Sequence, residues 1–288
     1  MNQAAVRKEG NLTIYELVNH QTKSSFQVVP ERGGIVISLK LLGDELLFLN
    51  EETLHNPDSN IRGGIPILFP ICGQLEHGEY ELHGQTFPMK NHGVARNHPW
   101  QVLQIQEENE LSITLGMRSN EETKRSFPFD FELIFRYELQ DHALIIHQEY
   151  WNHSEIPMPM YSGFHPYFAT DHKTIHIKTD ATQYLDYNDG GIKGYEGSFN
   201  LSERSESVVL LDTQEPQVSF ALPEINRNVM ITYDKLFRYM VIWTELGSPF
   251  MCVEPWMAKT NEMNLKKELL YVQPKEALRT RITISVDQ

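Results

Sequence analysis

The stretch "GIVISLKLLGDELLFLN", residues 34–50, decides how this chain folds. Ser38 and Lys40 alternate with Ile37, Leu39 and Leu41, the period-two sign of a strand half buried against a core. Gly43-Asp44-Glu45 then supplies turn chemistry, and apolar character resumes in the residues that follow. Strand, tight turn and returning strand make a hairpin. The same β character recurs in "LTIYELVN" (12–19), "FQVVP" (26–30), "ALIIHQEYWN" (143–152) and "RTRITISV" (279–286). Asp189-Gly190-Gly191 marks another turn. Helical signal is confined to a turn or two in 50–60 and again in 264–270. The alternating strands and helices of a parallel α/β sheet are missing. The pattern predicts one all-β domain over 1–288, with many antiparallel strands in two stacked sheets.

Composition removes several functions. Twenty-five Lys and Arg against 39 Asp and Glu give a net charge of −14, with no basic run rising out of it. Such a chain has no field with which to gather polyphosphate, so nucleic acid is not an expected partner. Cys72 and Cys252 both lie in apolar, strand-like stretches, and no C-x-x-C pair exists. They read as reduced core thiols rather than a disulfide scaffold or zinc knuckle. The first twenty residues lack the apolar region of a signal peptide, and no apolar run approaches the length of a membrane span. The expected compartment is the cytoplasm, with no membrane contact.

Four stretches interrupt the strand pattern with chemically capable residues. "IRGGIPILFPICGQ" (61–74) reads as a turn feeding a buried strand, with Arg62 at its mouth. "MKNHGVARNHPW" (89–100) places His92-Gly93 and Arg96 in an irregular segment, where functional residues concentrate. In "SGFHPYFA" (162–169), Pro166 pushes His165 toward an extended backbone. An imidazole in that apolar company is either a packed core histidine or a proton donor. In "FMCVEPWMAKTN" (250–261), Phe250, Cys252 and Glu254 share one strand face, and Pro255 is expected to end the strand. Glu254 is either a salt-bridged rim residue or a general base whose pKa burial raises.

Other candidates carry less. His172 and His176 are four apart, a zinc spacing on a helix, but "HKTIHIKTD" reads as strand, so no metal is expected there. Asp186 is a turn aspartate or a hydroxyl binder. No G-x-S-x-G, P-loop or G-x-G-x-x-G occurs.

Taken in order, Arg-Gly-Gly-Ile-Pro, Asn-His-Gly-x-x-Arg-x-x-x-Trp, Gly-Phe-His-Pro-Tyr-Phe and Val-Glu-Pro-Trp resemble the aldose 1-epimerase (mutarotase) family. The resemblance runs from about residue 12 to the C-terminus. It implies a large antiparallel β-sandwich, the galactose mutarotase-like supersandwich, with a sugar site on a concave sheet face. It implies His165 as general acid, Glu254 as general base and His92 as a second substrate histidine. Asp186 is similar in position to the acidic residue that binds sugar hydroxyls. Gln74, after Gly73, stands where galactose mutarotases carry a substrate arginine. Arg62 and Arg96 match hexose-6-phosphate mutarotases and are candidates for a phosphate clamp. Trp243 or Trp256 could pack on the C–H face of a sugar.

The implied activity interconverts the α and β anomers of an aldohexose or hexose 6-phosphate by acid–base ring opening. It requires no metal, nucleotide or other cofactor, and a small sugar is the expected partner. The competing reading is a non-catalytic sugar-binding or sugar-sensing protein on the same sandwich. Binding alone has no need of an acid–base pair, which favours the enzyme.

Overall fold

Residues 34–50 form the hairpin read in the sequence. Strand Ile35–Leu41 pairs with the short strand Asp44–Glu45 across Leu42-Gly43. Both turn residues have positive φ, 54° and 96°, the twist-matched geometry of a tight hairpin. The computed structural model describes residues 2–287, of which about half are strand, and every strand-to-strand ladder among them is antiparallel.

Two large sheets make the body of the molecule. One has nine strands, with Ala143–Asn152 and Phe131–Gln140 at its centre and Ala277–Val286 alongside. The other has eight and carries Tyr239–Trp243, Phe250–Trp256, Gly163–Phe164 and Ile67–Leu68 in adjacent positions. A five-stranded meander over residues 2–45 completes the architecture. In Ala143–Asn152 every second side chain is buried, so this strand presents one apolar face to the opposite sheet.

Aromatic rings join the two large sheets. Phe135 of the nine-stranded sheet meets Phe164 of the other at 5.9 Å, and Phe168 meets Phe220 at 4.9 Å. Phe69 packs on Phe131 at 5.0 Å and on Tyr150 at 5.8 Å. One continuous apolar core reaches from Leu17 to Val286.

Three details differ from the sequence reading. Pro255 does not end its strand, which runs on to Trp256. Pro255 faces Met240 in one ladder, and on its other side the pairing is made at Trp256 and breaks off next to it, so its missing N–H falls where that ladder already ends. The helical signal at 264–270 shrinks to Glu262–Leu265, and 270–272 is strand. A helix at Glu121–Ser126, closed by a capping box from Asn120 to Thr123, was not anticipated. The signal at 50–60 is the helix Glu51–His55, whose Asn50 cap accepts from the Thr53 N–H at 3.0 Å.

Phe135 contacts the rings of Trp100, Tyr150 and Phe164 and is fully buried. Phe135→Ala is expected to lower unfolding stability by about 3–5 kcal/mol through lost contacts and the cavity left behind. Urea titration should show the midpoint falling with an unchanged slope.

Candidate active site

The site begins with an interrupted ladder. Strand Phe250–Trp256 pairs with Gly163 at Trp256 and with Tyr167 at Cys252, and no pairing is made in between. In unbroken register, position 165 falls opposite position 254. The interruption is His165-Pro166. Pro166 has no N–H to give that strand, while the His165 N–H continues the pairing on the opposite edge, to the Pro66 carbonyl at 3.1 Å. Only the pairing with Phe250–Trp256 breaks, and the two side chains stay face to face. His165 Nε2 lies 3.3 Å from Glu254 Oε1, and both side chains are buried.

Burial acts oppositely on the two groups. It pushes the Glu254 carboxyl well above its ordinary value, against a hydrogen bond from Trp256 and the charge of Arg96. It pulls the His165 imidazole down, and the charges of Arg96 and Arg62 pull the same way. Trp256 Nε1 donates to Glu254 Oε2 at 3.0 Å, which leaves Oε1 to face His165. Tyr167 stacks on the imidazole at 4.7 Å between centroids and fixes its plane. Two ionisable groups this close are coupled, and each titrates in the field of the other.

His92 completes the floor. The Gly73 N–H donates to its Nδ1 at 3.0 Å, so the ring hydrogen of the neutral form is on Nε2. Burial first, then the charges of Arg96, His165 and Arg62, hold its pKa well below the usual range. His92 thus offers a neutral N–H donor beside the pair, its ring 5.4 Å from that of His165. The turn that places it is tight. Gly93 has φ 77°, and a Cβ there would come 2.2 Å from the Phe69 carbonyl oxygen.

A cleft of about 510 Å³ opens over these residues. Of the residues anticipated from sequence, it is lined by His165, Glu254, His92, Arg62, Gln74, Trp243 and Trp256. The Arg62 guanidinium lies over the Trp243 ring at 5.6 Å and within 3.5 Å of Glu245. Tyr187, Ser205, Glu206 and Ser207 also line the cleft and carry no distinguishing motif, as does Thr260, which lies within the 250–261 stretch.

Two anticipated residues are not on the cleft wall. The short 3-10 turn Ala95–Asn97 takes Arg96 to a small cavity shared with Arg32 and Asn97. Its guanidinium donates to the Asn91 carbonyl at 2.9 Å, and burial lowers its pKa to about 10. It bears on the His–Glu pair as a nearby charge, not as a cleft ligand. Asp186 ends the strand Gln183–Asp186 with its side chain turned inward, and its neighbour Tyr187 faces the cleft instead. The Asp186 carboxylate is already taken. It accepts from Lys193 Nζ at 2.7 Å, from the Asn188 side chain at 2.8 Å and from Arg204. Asn188 in turn holds Ser205 and Glu206, two residues of the cleft rim. Asp186 is thus the anchor of that rim. His172 pairs with Glu224 at 3.0 Å, and His176 lies in the strand Thr174–Lys178, as its sequence suggested.

A buried imidazole and carboxylate 3.3 Å apart on neighbouring strands of a β-sandwich, under a polar cleft, have the make-up of an acid–base site. The model for the aldose 1-epimerase family matches residues 15–271, and the chain belongs to that family of isomerases. A relative named "Putative glucose-6-phosphate 1-epimerase" from Cenchrus ciliaris is 28% identical over 258 residues, covering 84% of this chain and 72% of that one. The crystal structure of the Slr1438 protein from Synechocystis sp. PCC 6803 superposes with a TM-score of 0.92 at 33% identity, covering 100% of this chain and 99% of the other. Galactose 1-epimerase from Lactobacillus acidophilus NCFM has the same fold, with a TM-score of 0.78 at 13% identity over 100% of this chain and 98% of that one.

Burial alone would push the Asp186 carboxyl up, but its hydrogen bonds outweigh that and hold its pKa far below the ordinary range. A depressed folded-state pKa adds stability that is present above about pH 4 and is lost as pH falls further. Asp186→Asn is therefore expected to cost about 1–2 kcal/mol at neutral pH, since Lys193 is 38% exposed and solvent screens its share. Thermal melts of both proteins across pH should converge in acid.

Proposed function

We propose that the chain is an anomerase of aldohexoses in which His165 and Glu254 exchange protons with the substrate. The observation that carries this reading is the 3.3 Å approach of His165 Nε2 to Glu254 Oε1 beneath an open cleft. The anomeric hydroxyl and the ring oxygen are bonded to the same carbon, so two neighbouring protein atoms can serve both. Glu254 takes the proton of the C1 hydroxyl while His165 gives one to the ring oxygen. The C1–ring-oxygen bond breaks and a C1 carbonyl forms. Rotation about C1–C2 presents the other face, and the reverse transfers close the ring with inverted configuration.

Burial favours this direction of transfer. An imidazolium pulled down by burial is a strong acid, and a carboxylate pushed up by burial is a strong base. Ring opening discharges both, so the open-chain complex leaves no buried charge on the pair. The Nε2–H of His92 is placed to donate to a sugar oxygen, and Trp243 offers an apolar ring to its C–H face.

The substrate reading is an aldohexose, with a 6-phosphoryl group accepted through Arg62. Arg62 is the one Lys or Arg side chain among the residues lining the cleft. Gln74 takes the part of a hydroxyl ligand. The continuous core supports treating residues 1–288 as a single domain, and two buried free thiols agree with the cytoplasm as its compartment. Among the described residues no helix is long and apolar enough to cross a membrane.

His165→Asn and Glu254→Gln should each reduce mutarotation by about 10²–10⁴-fold, the usual worth of one positioned proton transfer. Polarimetry on freshly dissolved α-glucose and on glucose 6-phosphate would measure it, with circular dichroism checking the fold. Near-normal rates in either variant would remove that residue from the mechanism. Arg62→Ala should raise KM for glucose 6-phosphate roughly tenfold, consistent with loss of one charged hydrogen bond, and leave glucose nearly unchanged. Equal effects on both sugars would reject phosphate recognition by Arg62.

A further inference from the structure

Cys252 is a buried thiol of this region that proton transfer leaves unused. It lies two residues before Glu254 on the same strand, so the thiol and the carboxylate project from one face. Tyr167 is its partner across the ladder, and Tyr167 stacks on His165. The geometry brings three donor atoms together. A His165 ring nitrogen, the Cys252 Sγ and a Glu254 carboxylate oxygen all lie within 4.8 Å of one another, and all three residues are buried.

Imidazole, thiolate and carboxylate are the three side-chain types that zinc takes. A thiolate in the set excludes calcium and magnesium, which require oxygen ligands. Three protein ligands leave a fourth position. His165 and Glu254 line the cleft, so that position faces the space a sugar would occupy.

We propose that His165, Cys252 and Glu254 form a binding site for a zinc-class divalent cation, and that metal bound there switches the enzyme off. The inhibition rests on the acid–base reading above. A cation held by the ring nitrogen and the carboxylate occupies the atoms that must carry protons. Coordination sends two protons to solvent, one from the Cys252 thiol and one from the His–Glu pair. The metal undergoes no redox change. Glu9, Glu51 and His55 make a second group of donors, but these residues are exposed and include no thiol.

Cobalt(II) separates the two places, because only a cobalt–thiolate bond gives an intense near-ultraviolet charge-transfer band. Titration of the full chain with cobalt is expected to produce that band, saturating at one equivalent. Cys252→Ser and Cys252→Ala should both abolish it, and Glu51→Gln should keep it. Within each protein, the mutarotation rate is then compared with and without micromolar zinc. The native chain should lose at least tenfold and recover with a chelator, whereas both Cys252 variants should change less than twofold. No thiolate band, or equal zinc sensitivity in the Cys252 variants, would overturn the site. The band is read without substrate. If it appears and the protein proves to have no mutarotation activity, the metal site stands and the inhibitory role falls with the proposed function.

Discussion

Everything at the site depends on one register. Gly163 opposite Trp256 and Tyr167 opposite Cys252 fix the alignment of two antiparallel segments, and that alignment alone brings His165 to Glu254. The break is confined to one edge of the segment, and its other edge stays paired throughout. The His165 N–H goes to Pro66, the Tyr167 N–H to Gly64 and the Tyr161 N–H to Pro70, all carbonyls of one neighbouring segment. The "RGGIPILFP" stretch is therefore as necessary to the histidine as the "GFHPYF" stretch, although it contributes no proton-transfer group.

The second constraint is electrostatic. Two ionisable groups out of contact with bulk water would each choose neutrality if alone. Placed 3.3 Å apart with one proton between them, they have two arrangements of equal total charge, a neutral pair and an ion pair. Arg96 acts on both from behind the cleft, lowering the proton affinity of the imidazole and of the carboxyl alike. Trp256 also favours the carboxylate by donating to its far oxygen. Arg96 lies off the cleft wall, so its charge acts on the pair without taking up room for substrate.

The sequence disclosed most of this, for physical reasons that can be named. Strands with one buried face announce themselves by alternation, as Ala143–Asn152 does. His165 and Glu254 stood out because each is a polar group in apolar company, and such a group needs a partner or a task. Their meeting did not stand out, because it is set by the pairing of two segments far apart in the chain. Asp186 and Arg96 were placed on the cleft for the same want of tertiary information. An aspartate bound to Lys193, Arg204 and Asn188 has the same local sequence whether its side chain turns inward or outward. Tyr187 and Ser205 were invisible, since nothing about a tyrosine or serine in a loop says which cavity it will border. Pro255 misled for a different reason. The rule that proline ends a strand assumes both neighbours continue, and here one is interrupted.

The cleft thus has two parts of unlike origin. Its floor is built from adjacent strands of one sheet, where a shift of one residue would turn His165 or Glu254 to the opposite face and remove the chemistry altogether. Its rim, around Tyr187 and Ser205 to Ser207, is held by side-chain bonds radiating from Asp186 through Asn188. Loops fixed in that way can change length and residue type without disturbing a ladder. Proton transfer and sugar selection are consequently separable in this architecture. The rim can be rebuilt around a different hexose while the floor keeps its coupled pair, whereas no rebuilding of the rim could compensate for a slip in the strands beneath it.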